Sequence, residues 1–202
     1  MAVMKYKAVG AVLALVGALA AGQAAAASKA MMTGAVTSQP IGHYEFCETH
    51  RDECNVRSPN KPAPKVTEFG WNLVREINVA VNHEIEPMTD KELYGRDEVW
   101  AYPKDAGDCE DYALLKRKRL MEKGFSASDL LITVVRKPDG EGHAVLTLRT
   151  DAGDFILDNL EDNIKIWTET SYHFLKRQAA FHSGRWVTID NAGELMVGAV
   201  AK

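Results

Sequence analysis

Basic charge is in the minority in this sequence. Lys and Arg number 24 against 28 Asp and Glu, a formal net charge of −4. That balance provides no electrostatic footprint for nucleic acid, which is excluded as an expected partner. Long apolar runs are scarce as well. Beyond residue 27 no segment is apolar enough to span a bilayer, which takes roughly 20 residues, so the mature protein is expected to be soluble. That part also lacks internal repeats and low-complexity tracts. A chain of 202 residues, 46% of them hydrophobic, supports one cored domain and not two.

What is present begins with the N-terminus. Lys5 and Lys7 precede an unbroken run of Ala, Val, Leu and Gly from Ala8 to Ala20, and Ala25, Ala26 and Ala27 follow. Basic, apolar and small residues in that order describe a secretory signal peptide. Residues 1–27 are therefore expected to direct export to the periplasm, with cleavage after Ala27. The competing reading is an uncleaved membrane anchor.

Cysteine is rare: Cys47, Cys54 and Cys109. In an oxidising compartment paired thiols become disulfides, and the Cys47-x6-Cys54 spacing allows a local bridge. Cys109 is then left over, and an odd thiol in an exported protein asks for an explanation. Its bland explanation is a buried, inert core thiol.

Residues 28–66 are rich in small, polar and Pro residues and are expected to form an irregular segment. Thr67 to Glu84 reads as a helix capped by Thr67, with Phe69, Leu73, Ile77 and Val81 as its core stripe. Thr89 to Tyr94 reads as a further helical turn ended by Gly95. Asp108 to Lys123 reads as a helix closed by Gly124. Its basic cluster Lys116 to Arg119 is expected to be a solvated face that complements the helix dipole. Strands are expected at Leu130–Arg136, His143–Thr150, Phe155–Leu160, Tyr172–Ala179 and Arg185–Ile189, with a turn near Ser183-Gly184. Helices followed by an antiparallel sheet define an α+β domain, residues 67–202.

The chemistry concentrates in Gly107-Asp108-Cys109-Glu110-Asp111-Tyr112-Ala113. Cys109 falls in the first turn of a helix, where unpaired N–H groups and the dipole favour a thiolate and can hold an oxyanion. Three acidic neighbours oppose thiolate formation, so a cationic His or a bound metal ion has to offset them. His143, after Gly140-Glu141-Gly142, is the candidate base. Asp158, interrupting the apolar strand Phe155-Ile156-Leu157, is the candidate orienting group. A two- or four-residue loop around Ala152-Gly153 puts His143 and Asp158 on one face of the sheet, whereas a three-residue loop without a bulge separates them. Each residue also has a bland reading: a structural histidine on a strand, an aspartate opening a turn.

These motifs, with Gly142-His143-Ala144-Val145-Leu146, Leu157-Asp158-Asn159 and Gln39-Pro40-Ile41-Gly42-His43-Tyr44-Glu45-Phe46-Cys47, resemble the bacterial transglutaminase-like cysteine proteinases. That group includes the LapG-type periplasmic proteases, and the similarity runs from about Gln39 to Ile189. The resemblance implies a papain-like, transglutaminase-type core. It makes Cys109 the nucleophile, His143 the general base and acid, and Asp158 the residue that orients the imidazole, with hydrolysis through a thioester. It implies calcium held by Asp108 and Glu110, with Asp105 and Asp111 as weaker ligand candidates. Helix capping by Asp108, with Asp111 three residues on, is the alternative use of these carboxylates. Trp100 matches an upstream aromatic that lines the cleft, with a core anchor as its alternative. A cell-surface or envelope protein as substrate and an inner-membrane receptor as regulator complete what the resemblance implies. The segment Gln39–Cys47 and the Cys47-x6-Cys54 spacing are more similar to a sister branch than to the LapG type itself. Rival functions are an acyltransferase using the same three residues and a non-catalytic envelope binding protein.

Overall fold

The computed structural model describes Met1, residues 29–59 and residues 61–190. Apart from Met1, the expected signal peptide lies outside these residues, as does the stretch from residue 191 onward.

The expected helices form, and their sequence signals explain their limits. Helix α3 (Glu68–Glu84) starts where the Thr67 side chain accepts from Gly70 N at 3.1 Å. Helix α4 (Asp90–Tyr94) carries a capping box between Thr89 and Glu92 and ends at Gly95, which takes the left-handed conformation. Helix α5 (Cys109–Glu122) closes at Lys123, with Gly124 just beyond it at φ +94°. Two short strands, β2 (Glu86–Pro87) and β3 (Ala106–Gly107), pair in parallel just before α5.

The segment expected to be irregular is structured. It supplies strand β1 (Met32–Thr37) and helices α1 (Ile41–Thr49) and α2 (Arg51–Cys54), the last two joined by the Cys47–Cys54 disulfide. β1 escaped notice because it runs along the sheet edge with mostly exposed side chains, and so shows no apolar alternation.

The remaining strands are β4 (Leu130–Arg136), β5 (Gly142–Thr150), β6 (Gly153–Leu157), β7 (Lys165–Ile166), β8 (His173–Ala179) and β9 (His182–Asp190). They form one antiparallel sheet with β1, in the order β1-β9-β8-β4-β5-β6-β7. Ser183 and Gly184 lie inside β9, and the turn falls instead at Ala180-Phe181. A Cβ at Gly184 would come within 2.4 Å of the Cys54 carbonyl. The glycine is needed for the approach of α2, not for a turn.

β4 and β5 are central, and both of their faces are covered. One face packs Leu130, Ile132, Leu146 and Leu148 against Val74, Ile77 and Val81 of α3 and Tyr112, Ala113 and Leu120 of α5. The other packs Val135, Val145, Phe174 and Trp167. Each such aliphatic side chain contributes about 1.5–3 kcal/mol by leaving water. The face of α3 differs from the expected stripe. Steps of four residues drift about 40° per step around a helix of 3.6 residues per turn, so a strict four-residue stripe leaves the core. The buried line is Gly70, Val74, Ile77 and Val81, and Phe69 is 71% exposed. The basic cluster of α5 also divides: Lys118 is exposed, whereas Lys116 and Arg117 are buried.

No helix among the described residues is long and apolar enough to cross a membrane.

Candidate active site

The β5–β6 hairpin fixes the first relationship. Thr150 pairs with Gly153, leaving Asp151-Ala152 as a two-residue loop, and Leu146 pairs with Leu157. This is the register that places His143 and Asp158 on one face. The ladder offset is closed by side-chain reach, because His143 Nε2 lies 2.9 Å from Asp158 Oδ1 and both side chains are buried. With Nε2 bonded to the carboxylate, Nδ1 is the ring nitrogen left to act as a base.

Asp158 is held from several directions. Tyr172 donates its hydroxyl to Oδ2 at 2.6 Å, and Leu160 N donates to Oδ1 at 3.1 Å. Asn82 of α3 donates to the Asp158 carbonyl at 2.9 Å. Burial pushes the Asp158 carboxyl up, but hydrogen bonds and charge from His143, with help from Tyr172 and Leu160, hold it below its ordinary range. The Tyr172 ring also packs on the His143 ring, with centroids 5.5 Å apart.

Cys109 begins α5 and meets β5 directly: Ala144 N donates to its Sγ at 3.3 Å. Sγ in turn donates to Glu110 Oε2 at 3.1 Å, and among the described residues no hydrogen bond joins it to His143. Burial, then the Glu110 charge, push the thiol pKa well above its usual value.

The acidic residues gather at the same helix start. Asp108 occupies the N-cap position, yet its side chain makes no capping bond. It turns instead towards Asp90 and Asp111, and one oxygen of each lies within 4.8 Å of the others. Asp90 Oδ1, Asp108 Oδ1 and Asp111 Oδ2 are buried without hydrogen-bond partners. Gly107 makes room for this arrangement, since a Cβ there would stand 2.7 Å from Asp111 Oδ2. Burial, followed by Glu110, pushes Asp108 up to about 8, and burial pushes Asp111 up to about 7. Asp108, Cys109 and Glu110 form a second group of donors within the same span, sharing Asp108 with the first. Hard oxygens, crowded like charges and unpaired acceptors are the features a divalent cation such as calcium satisfies. Asp105 is exposed and belongs to neither group.

Asp90 and Tyr172 were not legible as site residues. Asp90 reads as an ordinary acidic residue in the first turn of α4, and nothing local marks Tyr172. Trp100 takes its core alternative: it is 6% exposed and packs its ring against His43 and Trp186 at 5.4 and 6.2 Å.

The sequence profile described as bacterial transglutaminase-like cysteine proteinase (BTLCP) matches residues 33–194. The chain belongs to this family. Members of the bacterial transglutaminase-like cysteine proteinases are cysteine peptidases, so a protein substrate follows for this one. Compared with curated proteins, the sequence matches none. Among solved structures it is similar to Legionella pneumophila LapG. The calcium-bound form superposes with a TM-score of 0.51 at 21% identity, covering 77% of this chain and 86% of that one. A second LapG structure gives 0.51 at 22% identity, with coverage of 79% and 85%. The EGTA-treated form gives 0.50 at 21% identity, with coverage of 79% and 87%. The likeness shows a transglutaminase-like fold, in which mixed helices pack on an antiparallel sheet.

Proposed function

We propose that the protein is a periplasmic, calcium-dependent cysteine endopeptidase in which Cys109 is the nucleophile, His143 the general base and acid, and Asp158 the residue that orients the imidazole. The observation that carries this reading is the buried His143–Asp158 pair, next in the chain to the Ala144 amide that contacts Cys109 Sγ.

In the reaction, His143 Nδ1 takes the thiol proton and Sγ attacks the carbonyl carbon of the scissile peptide. The amide N–H groups of the first turn of α5 face the developing oxyanion. Collapse of the tetrahedral species passes the His143 proton to the leaving amine and leaves a thioester on Cys109. His143 then draws a proton from water, the hydroxyl attacks the thioester, and the proton returns to sulfur as the acid product departs. Asp158 stabilises the imidazolium in both halves without changing its own protonation.

Asp90, Asp108 and Asp111, with Glu110 adjoining, would hold the cation. When bound, it neutralises the carboxylates crowded around the thiol and favours the thiolate. Support for calcium comes from the oxygen-only cluster and from the calcium-bound form of LapG. Export is supported by the N-terminal order of basic, apolar and small residues and by the Cys47–Cys54 disulfide. An envelope or cell-surface protein as substrate, and an inner-membrane receptor as regulator, follow from the family resemblance.

The test is mapping of new protein N-termini by mass spectrometry after an envelope fraction is incubated with the calcium-loaded protein or with Cys109→Ala. New termini that require Cys109 and calcium are expected. Products capped by an added primary amine instead of water would favour the acyltransferase, and identical profiles for both proteins would contradict catalysis.

A further inference from the structure

β6 stops before its neighbour does. It pairs with β5 from Thr150–Gly153 to Leu146–Leu157, whereas β5 itself runs back to Gly142. A continued ladder would set Asp158 opposite Val145, one diagonal step of roughly 7–8 Å from His143. The chain leaves the ladder at Asp158 instead, and the carboxylate comes within 2.9 Å of His143 Nε2. An aspartate side chain is short, so the place where its backbone is fixed decides whether it reaches the ring.

α3 fixes that backbone. Asn82 Nδ2 donates to the Asp158 carbonyl at 2.9 Å and to Asp162 Oδ1 at 2.8 Å. One amide thus spends both of its protons on the two ends of the segment 158–162. Both partners are acceptors, so the amide oxygen cannot stand in the place of the nitrogen. One turn earlier on the same side of α3, Asn78 is buried and donates to the Asp162 carbonyl at 3.0 Å. His83 Nε2 stands 3.2 Å from Asp162 Oδ2, so both carboxylate oxygens of Asp162 turn to α3. Within the segment, Leu160 N donates to Asp158 Oδ1 at 3.1 Å. Asparagine is a weak helix former. Two of them at this spacing need a reason, and these bonds supply it.

We propose that Asn82 is a positioning residue: by bridging the Asp158 carbonyl and the Asp162 carboxylate, it holds the backbone of Asp158 outside the ladder, at the place from which the carboxylate orients His143. This rests on the reading of Cys109, His143 and Asp158 as the reacting set.

The test is a double-mutant cycle on Cys109 alkylation by iodoacetamide, using the whole folded chain in excess calcium chloride. Asn82→Leu, Asp158→Asn and the double variant are compared, with His143→Ala as control. Asn82→Leu is expected to slow alkylation of the folded protein about tenfold, the scale of coupling between groups in contact. It is also expected to move the imidazole nitrogen signals of His143 in NMR, which a clip that only steadies the fold would not do. In the Asp158→Asn background, where the carbonyl is kept and the carboxylate is lost, it is expected to add nothing. Unchanged alkylation in Asn82→Leu overturns the proposal, whether or not the melting temperature falls. An undiminished Asn82→Leu effect in Asp158→Asn overturns it as well. Asp162→Ala removes the second partner of the same amide at an exposed position, and it decides the matter if Asn82→Leu does not fold. Alkylation about threefold slower is expected there, the scale of one hydrogen bond, and an unchanged rate overturns the bridging role. Unchanged alkylation in both His143→Ala and Asp158→Asn overturns the underlying reading of the site, and the proposal with it.

Discussion

The thiol of Cys109 donates its hydrogen bond to Glu110, 3.1 Å away, and not to His143. A thiol engaged by a neighbouring carboxylate is a poor nucleophile, and burial first, then the charges of Glu110 and Asp108, push its pKa upward. Drawing those carboxylates to a cation removes that opposition. Calcium is therefore expected to speed iodoacetamide labelling of Cys109 at neutral pH by about tenfold for each unit the thiol pKa falls, and EGTA to reverse it. Equal rates with calcium and with EGTA would remove the metal from the site.

The acidic cluster also sets a pH dependence. Asp111 sits at about 7 and Asp108 at about 8 in the folded chain without metal, mainly through burial. Unfolded aspartate titrates near about 4. Between about pH 4 and pH 8 the folded state thus binds more protons than the unfolded state, and stability falls as pH rises through that window. Calcium competes with the same protons, so it binds more tightly as they leave. Melting temperature in EGTA is expected to fall from about pH 5 to about pH 8, and the calcium-induced gain to be larger at the higher pH. Equal gains at both would contradict Asp90, Asp108 and Asp111 as ligands.

Tyr172 donates to Asp158 at 2.6 Å and packs on His143. A hydrogen bond to a charged group contributes about 1.5–3 kcal/mol. Tyr172→Phe keeps the ring and loses that bond, so stability to denaturant is expected to fall by about 1.5–3 kcal/mol, and Cys109 alkylation and peptide hydrolysis in the folded protein to slow by about tenfold or more. Wild-type rates in Tyr172→Phe would show that Asp158 needs no help from it.

The candidate site residues were legible because each stands against its surroundings: Cys109 as the odd thiol at a helix start, Asp158 as a carboxylate that directly follows the apolar run Phe155-Ile156-Leu157. The two-residue loop at Asp151-Ala152 decided among the registers the sequence allowed. Strand positions in the second half were readable because β4 and β5 consist largely of β-branched and aliphatic residues. β1 was not, since an exposed edge strand carries no alternation. Asp90 and Tyr172 were not, because they reach the site from other elements by tertiary contact alone. Lys116 was misread for a related reason: a run of basic residues reports helix content, and only packing reveals which member of it turns inward.

The Cys47–Cys54 disulfide closes a short loop at the α1–α2 corner, where the Cys54 carbonyl meets Gly184 of β9. Constraining such a loop stabilises a fold by about 2–3 kcal/mol. Replacing both cysteines with serine is expected to lower stability to denaturant by about that amount and to leave Cys109 labelling unaltered. A variant that labels slowly while folded would tie this corner to the active site.

The most direct measurement is the pH dependence of Cys109 labelling by iodoacetamide, read by peptide mass spectrometry, on the wild-type and His143→Ala proteins in calcium. The expected result is rapid labelling of the wild type well below the ordinary thiol pKa of about 8.5, lost in His143→Ala. Labelling confined to high pH or to the unfolded chain, and the same in both proteins, would mark Cys109 as a buried structural thiol and contradict the proposed mechanism.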